Sequence, residues 1–238
     1  MTQIWLQRGF THFKRLLPRS VWQPLRSIAT GLVTPIRFST QSGHWKSSIS
    51  MCARSASGAP IPWYTYPAID FLSPRSFEGK KVLEFGGGQS TFWWSARASS
   101  VLTVEEDSDW YASLASKIGQ NVSLHHIPVD HATRSIAPIR SLIESNSTKI
   151  FDIIIVDGHL RRELTALAFD YLSPDGAIIL DNAEGYGFYD EVRNRDCRRI
   201  DFFGFAPGGS LRTCTSLVFV GDCFMLRPEI PIPDIESH

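Results

Sequence analysis

In VLEFGGGQST, residues 82–91, three glycines follow an apolar run and a carboxylate. Glycine has no Cβ, so Gly86, Gly87 and Gly88 let the chain turn sharply and let a ligand approach the main chain, while N–H groups opening the next helix receive an anionic group. Glu84 precedes the first glycine by two positions, and Ser90 follows the last by two. A second acid, Glu105, ends the next apolar run, where a carboxylate can accept hydrogen bonds from both hydroxyls of a ribose. Asp157 follows the run IFDIIIV, and Asp181-Asn182 follow AIIL, so three oxygen donors end two neighbouring strands. Hard divalent cations such as magnesium take such oxygens. His159, two residues beyond Asp157, is a proton acceptor suited to neutral pH.

Those residues need a scaffold that aligns strand ends, and the pattern from residue 80 onward supplies one. KVLEF, VLTVEE, NVSLHHI, IFDIIIVDG and AIILDN read as strands, with helices expected over STFWWSARA, DSDWYASLASKIG, about Arg134–Ser145 and RRELTALAFDYLS, and a PDG turn after the last. Strands that are continuous apolar runs are buried on both faces, as in a parallel sheet covered by helices. The final segment holds two strand-like runs, about 201–206 and 215–220, too close for a crossover helix and therefore antiparallel. The expected fold is α/β and doubly wound, a Rossmann-like and mostly parallel seven-stranded sheet with a C-terminal antiparallel pair. In such sheets ligands bind beyond the carboxyl ends of the strands, where the glycines, Glu105, Asp157 and Asp181 fall.

A dinucleotide fingerprint asks for glycine or alanine where Thr91 stands, which argues against NAD and an oxidoreductase, the alternative enzyme class. The motif Glu84, Gly86, Gly88 and Ser90, with Glu105 after it, resembles instead the class I S-adenosylmethionine (SAM)-dependent methyltransferases over roughly residues 60–222. The run from PIPWYTYPAIDFL through EFGGGQSTFWW to VEEDSDWY is also similar to bacterial methyltransferase-like proteins. The resemblance implies that Gly86 and Gly88 contact the methionine portion with Ser90 nearby, that Glu105 holds the ribose, that Asp130 frames the adenine side, and that Asp157 orients the bound methionine or the acceptor. Asp157, Asp181 and Asn182 also resemble the magnesium site of metal-dependent O-methyltransferases. Those enzymes carry a lysine base where this chain has Leu160, so the base is sought at His159 or Arg161. The expected reaction is methylation of an oxygen or nitrogen of a small molecule or glycan, with Asp157 and His159 facing the acceptor.

Acidic and basic side chains balance at 24 each, so bulk positive charge for nucleic acid is lacking and no nucleic-acid partner is expected. The distribution is uneven: eight basic residues and no acid precede Asp70, leaving sixteen basic residues against all 24 acids. Residues 4–17 put Leu6, Phe10, Phe13 and Leu17 on one helical stripe with Arg8 and Arg15 opposite, and Pro18 should stop that helix. Three readings stand for it: packing on the main domain, lying on an anionic membrane surface through residues 1–37, or an organelle transit peptide. A non-catalytic, membrane-peripheral interaction protein with the same fold is therefore a further alternative. Residues 38–60 hold seven serines and read as a linker or surface loop, giving a basic segment 1–60 and a cofactor-binding domain 61–238. Four cysteines without CxxC spacing suit a reducing compartment, and the expected location is cytoplasmic, with membrane-peripheral contact through the basic segment. His125, His126 and His131 read as structural or solvated. Trp63, Tyr64 and Tyr66 read equally as cavity lining or as core.

Overall fold

The computed structural model describes residues 17–227. The helix expected over 4–17 therefore lies almost wholly outside the described residues. The chain divides between Gln41 and Ser42 into two units. The described part of the first is one helix, α1 (Arg19–Gln41), which starts after Pro18 and keeps Pro24 and Pro35 inside it. The Pro18 carbonyl accepts from the Val21 and Trp22 amides and so closes its first turn.

The second unit begins with α2 (His44–Ser50), where a linker or loop was expected. Serine favours loops because its hydroxyl competes for backbone groups, and here those bonds serve tertiary structure. Ser47 Oγ donates to the Gly43 and Arg54 carbonyls and accepts from the Arg54 amide. Gly43 is left-handed, and a Cβ there would lie 2.3 Å from the Arg54 carbonyl oxygen. The segment 42–60 is thus built into the second unit.

The elements α3 (Tyr66–Leu72), β1 (Lys81–Phe85), α4 (Gln89–Ser95), β2 (Ser100–Glu105), α5 (Ser108–Ala115), β3 (Val122–His126), α6 (Ala137–Ser145), β4 (Phe151–Val156), α7 (Arg161–Tyr171), β5 (Leu172–Leu180), α8 (Phe188–Val192), β6 (Arg198–Phe205) and β7 (Arg212–Phe219) follow, with a 3-10 turn at Phe224–Leu226. They form a seven-stranded sheet of order β3-β2-β1-β4-β5-β7-β6. The first five strands are parallel, and β7 runs antiparallel to both β5 and β6, as the sequence led us to expect. Asp107 caps α5 by accepting from the Trp110 amide. The expected PDG turn lies inside β5, at a register shift against β4. Glycine is required there because a Cβ on Gly176 would sit 2.6 Å from the Asp152 carbonyl oxygen.

Both faces of the sheet are buried. Val82, Ile153, Ile155, Ile179 and Phe219 face a layer containing Tyr64, Phe77, Trp93 and Trp94. Leu83, Phe85, Ile154, Val156 and Leu180 face α6 and α7 through Ile139, Ile143, Leu164 and Leu167. The aromatic stretch before β1 divides: Tyr64 and Tyr66 are core, and the Tyr64 hydroxyl accepts from Trp94 Nε1, whereas Trp63 remains 43% exposed. Ile154 has no exposed surface at the centre of β4. Ile154→Ala is expected to cost about 2–5 kcal/mol in urea unfolding with the fold retained, through lost apolar transfer and the cavity left behind.

Candidate active site

Parallel register brings the carboxyl ends of four strands to one rim: Phe85 pairs with Val104 and Val156, and Val156 with Leu180. The next residues of β1, β4 and β5 are Gly86, Asp157 and Asp181, so the sheet itself sets them side by side. Gly86 has φ of +89°, and a Cβ there would come within 2.7 Å of the Gly158 amide nitrogen. The first glycine is therefore demanded by the meeting of two rim loops. Gly87 approaches Leu114 and Thr103 closely, whereas a Cβ on Gly88 would meet nothing nearer than Ser90 Oγ at 3.8 Å.

Beneath this loop lies a buried acid relay. Glu84 is fully buried, and its Oε2 accepts from Thr91 Oγ1 at 2.6 Å and Thr103 Oγ1 at 3.0 Å. Thr91 Oγ1 in turn accepts from the Gly88 amide at 2.9 Å, so the residue that departs from the dinucleotide fingerprint ties the loop to the acid. Glu84 Oε1 is buried with no hydrogen-bond partner. Burial holds the carboxyl up at about 7, against the Ser90, Thr91 and Thr103 hydroxyls, which lower it. Glu105 is also buried, and it accepts from three main-chain amides: Gly87 at Oε2, and Glu106 and Asp107 at Oε1. A carboxylate has about four acceptor positions, so one is left for a ligand hydroxyl.

Two cavities meet at Asp157. One, of about 440 Å³, is lined by Glu106, His131, Arg134, Asp157, Gly158, His159, Arg161 and Tyr186. The other, of about 460 Å³, is lined by Trp63, Asp157, Asp181, Asn182, Leu211 and Thr213. Both are of the size that holds small ligands. A narrow cleft beside the first joins Gly86, Glu106, Ile127, Val129 and His159. Of the residues expected at the site, Asp157 alone lines both cavities. Asp181 and Asn182 line the second only, and His159 lines the first, against Glu106 Oε1 and edge-on to His131 at 5.1 Å. Asp130 lines none of these cavities; its oxygens accept from Ala132 and Thr133 in a local turn, and the Thr133 hydroxyl holds its carboxyl below the usual range.

Arg161 is the cation of the rim. Its Nε donates to the Gly158 carbonyl, Nη1 to the Asp181 carbonyl and Asn182 Oδ1, and Nη2 to the Asp157 carbonyl and Oδ1, with bonds of 2.6–3.1 Å. These five bonds use every N–H that a guanidinium has, and the Tyr186 ring covers it at 4.4 Å. The expected base role for Arg161 is thereby corrected, because a fully bonded guanidinium accepts no proton. The expected magnesium set does not fit either. Asp157 and Asn182 give oxygens to Arg161, and Asp181 Oδ1 accepts from Thr215 at 2.8 Å. Among the described residues no three His, Cys, Asp or Glu side chains are grouped to hold a metal. Burial raises Asp157 to about 6, opposed by Arg161, and burial together with Asp157 pushes Asp181 well above the carboxylate range.

Sequence reasoning missed Glu106, although the doublet Glu105-Glu106 at a strand end was its signal: the first acid turns into the loop, and the second faces the cavity. His131 was read as structural or solvated, yet it lines that cavity too. Arg161, four residues after Asp157 at the start of a helix, is an ion-pair spacing that could have identified its partner.

The folded-state proton affinity of Glu84 lies above its ordinary value of 4.5, so its contribution to stability is complete below that pH and is lost as pH climbs to about 7. Asp157 and Asp181 act in the same direction. Glu84→Gln is expected to flatten the fall in unfolding free energy across this range by up to roughly 3 kcal/mol. Urea unfolding at a series of pH values measures it, and an unchanged slope would assign the titration elsewhere.

No family model matches the chain, and no curated protein matches it. Solved structures do. The O-methyltransferase TomG from Streptomyces achromogenes, involved in tomaymycin synthesis and solved with SAM, is similar over 86% of this chain and 99% of its own, at 16% identity and a TM-score of 0.53. An O-methyltransferase from Bacillus cereus, solved with SAH, is similar over 84% of this chain and 99% of its own, at 14% identity and a TM-score of 0.50. With its strand order and reversed β7, this chain has the Rossmann-like fold of the class I SAM-dependent methyltransferases.

Proposed function

We propose that the chain is a SAM-dependent methyltransferase acting on an oxygen or nitrogen of a small molecule or glycan. The observation that carries this reading is the pair of cavities sharing Asp157, one adjoining the narrow cleft at Gly86 and one lined by Trp63 and Leu211. The residues present fit the cofactor: a glycine loop with an open position at Gly88, an acid with a spare acceptor position at Glu105, and an orphaned buried oxygen at Glu84 suited to an ammonium group nearby. When bound, SAM supplies a methyl group already activated on a sulfonium. The protein's remaining tasks are to place a nucleophile in line and to exclude water.

Gly86, Gly88, Ser90, Glu105 and Glu106 form the cofactor side, with His159 and His131 at its edge. Trp63, Leu211, Asp181 and Asn182 form the acceptor side, where an aromatic and an aliphatic side chain can hold a ring or sugar face. Asp157 stands between them, and an acid titrating at about 6 is suited to take the acceptor's proton at neutral pH. Arg161 fixes its orientation. Magnesium plays no part in this mechanism, because Arg161 already neutralises the oxygens that would bind it. All four thiols are free, which supports action in a reducing compartment such as the cytoplasm.

Isothermal titration with SAM is expected to give micromolar binding that Glu105→Ala abolishes while the thermal melt shows the variant folded. NAD is expected to produce no heat, and silence from both ligands would remove the proposal. Once an acceptor is found, Asp157→Asn should lower kcat by roughly 10²-fold or more and remove the rise in rate through pH 6, with SAM affinity kept. Excess chelator should leave turnover unchanged; a chelator-sensitive rate restored by magnesium would reinstate the metal.

A further inference from the structure

The helix α1 presents an apolar face that its own unit does not cover. Val21, Leu25, Ile28, Leu32 and Ile36 recur every three or four residues and form a single stripe. Ile28, Leu32 and Ile36 are 60–65% exposed, and no residue of the helix is buried. Arg19, Arg26 and Arg37 are spaced by seven and eleven residues, close to whole turns, and so share the opposite side. No acid occurs on the helix or anywhere before Asp70, and Arg8, Lys14 and Arg15 precede it in sequence. At 23 residues it is about 35 Å long, yet no helix among the described residues is apolar enough to cross a membrane.

From this arrangement we infer that α1 lies in the plane of an anionic lipid surface, its stripe at the acyl boundary and its arginines among the headgroups. An apolar stripe with an opposite face of neutral polar residues and arginines, whose only charges are basic, is complementary to that environment on both sides. A second copy of the chain is a poorer partner. Pro35 occupies the position three residues after Leu32 where a coiled-coil seam would continue, and a stripe-to-stripe pair would leave the arginines on its outer sides with no acid of the helix to pair with them. The inference does not depend on the methyltransferase reading, since it concerns the first unit alone.

The test is co-sedimentation of the full chain with vesicles of phosphatidylcholine alone and of phosphatidylcholine mixed with phosphatidylglycerol. Partitioning should be roughly tenfold or more stronger on the anionic vesicles and should weaken at high salt. The double variant Leu25→Glu/Leu32→Glu should abolish it, and Arg19→Gln/Arg26→Gln/Arg37→Gln should remove the preference for anionic lipid. Equal partitioning of the wild type and the Leu25→Glu/Leu32→Glu variant overturns the proposal. So does a concentration-dependent dimer in sedimentation that this variant splits, without vesicle binding by the wild type. A stripe variant that lowers the melting temperature of the lipid-free chain while vesicle partition stays unchanged would make the stripe a packing surface and would also overturn it.

Discussion

A parallel sheet covered on both faces leaves its interior no place for polar chemistry, since every strand residue there meets an apolar layer. In this chain the constraint is nearly complete: Ile153, Ile154, Ile155 and Val156 are all without exposed surface. Polar groups are therefore displaced to the carboxyl rim, where main-chain N–H groups are free to receive them. Glu84, one residue inside that rim, is a fully buried acid, alongside the buried strand hydroxyls of Thr103, Thr215 and Ser216. Its burial requires the hydroxyls of Thr91 and Thr103, and the resulting relay ties the glycine loop to the sheet.

Crowding acids at the rim creates a second requirement. Burial raises the proton affinities of Glu84, Asp157 and Asp181, and the charge of Asp157 adds to the rise at both Glu84 and Asp181. Arg161 answers it from the first turn of α7 by donating at once to the loops that follow β4 and β5. A planar five-donor fork can do this, whereas a lysine, with one compact charge, could not bridge the same set. The guanidinium takes the oxygens of Asp157 and Asn182 that were expected to hold a divalent ion, and it leaves Asp157 oriented between the two cavities. The second cavity then owes its character to Trp63 and Leu211, from segments far apart in sequence.

The number and direction of the strands were legible in the sequence because burial on both faces leaves an unmistakable mark: apolar runs such as IFDIIIV, interrupted by capped helices. The glycine loop and its flanking acids were legible because local chain geometry restricts those positions to few residue types. Element ends were less so, as β5 shows. The PDG triplet has the composition of a turn, yet it is drawn into the strand by its packing on Asp152. The serines of 42–60 also have the composition of a loop, and they bond instead to the backbone of the second unit.

Sequence by itself determined which residues reach the rim, since the apolar runs of β1, β4 and β5 each stop next to them. What only the tertiary structure decided is how those residues divide their tasks. Glu105 turns inward to three amides and Glu106 outward to a cavity, although the two are adjacent and identical in kind. Asp157, Asp181 and Asn182 have the composition of a metal site, and Arg161 closes it. The reason is physical: a residue type states what bonds a side chain can make, whereas the partner it finds depends on atoms brought near by the fold.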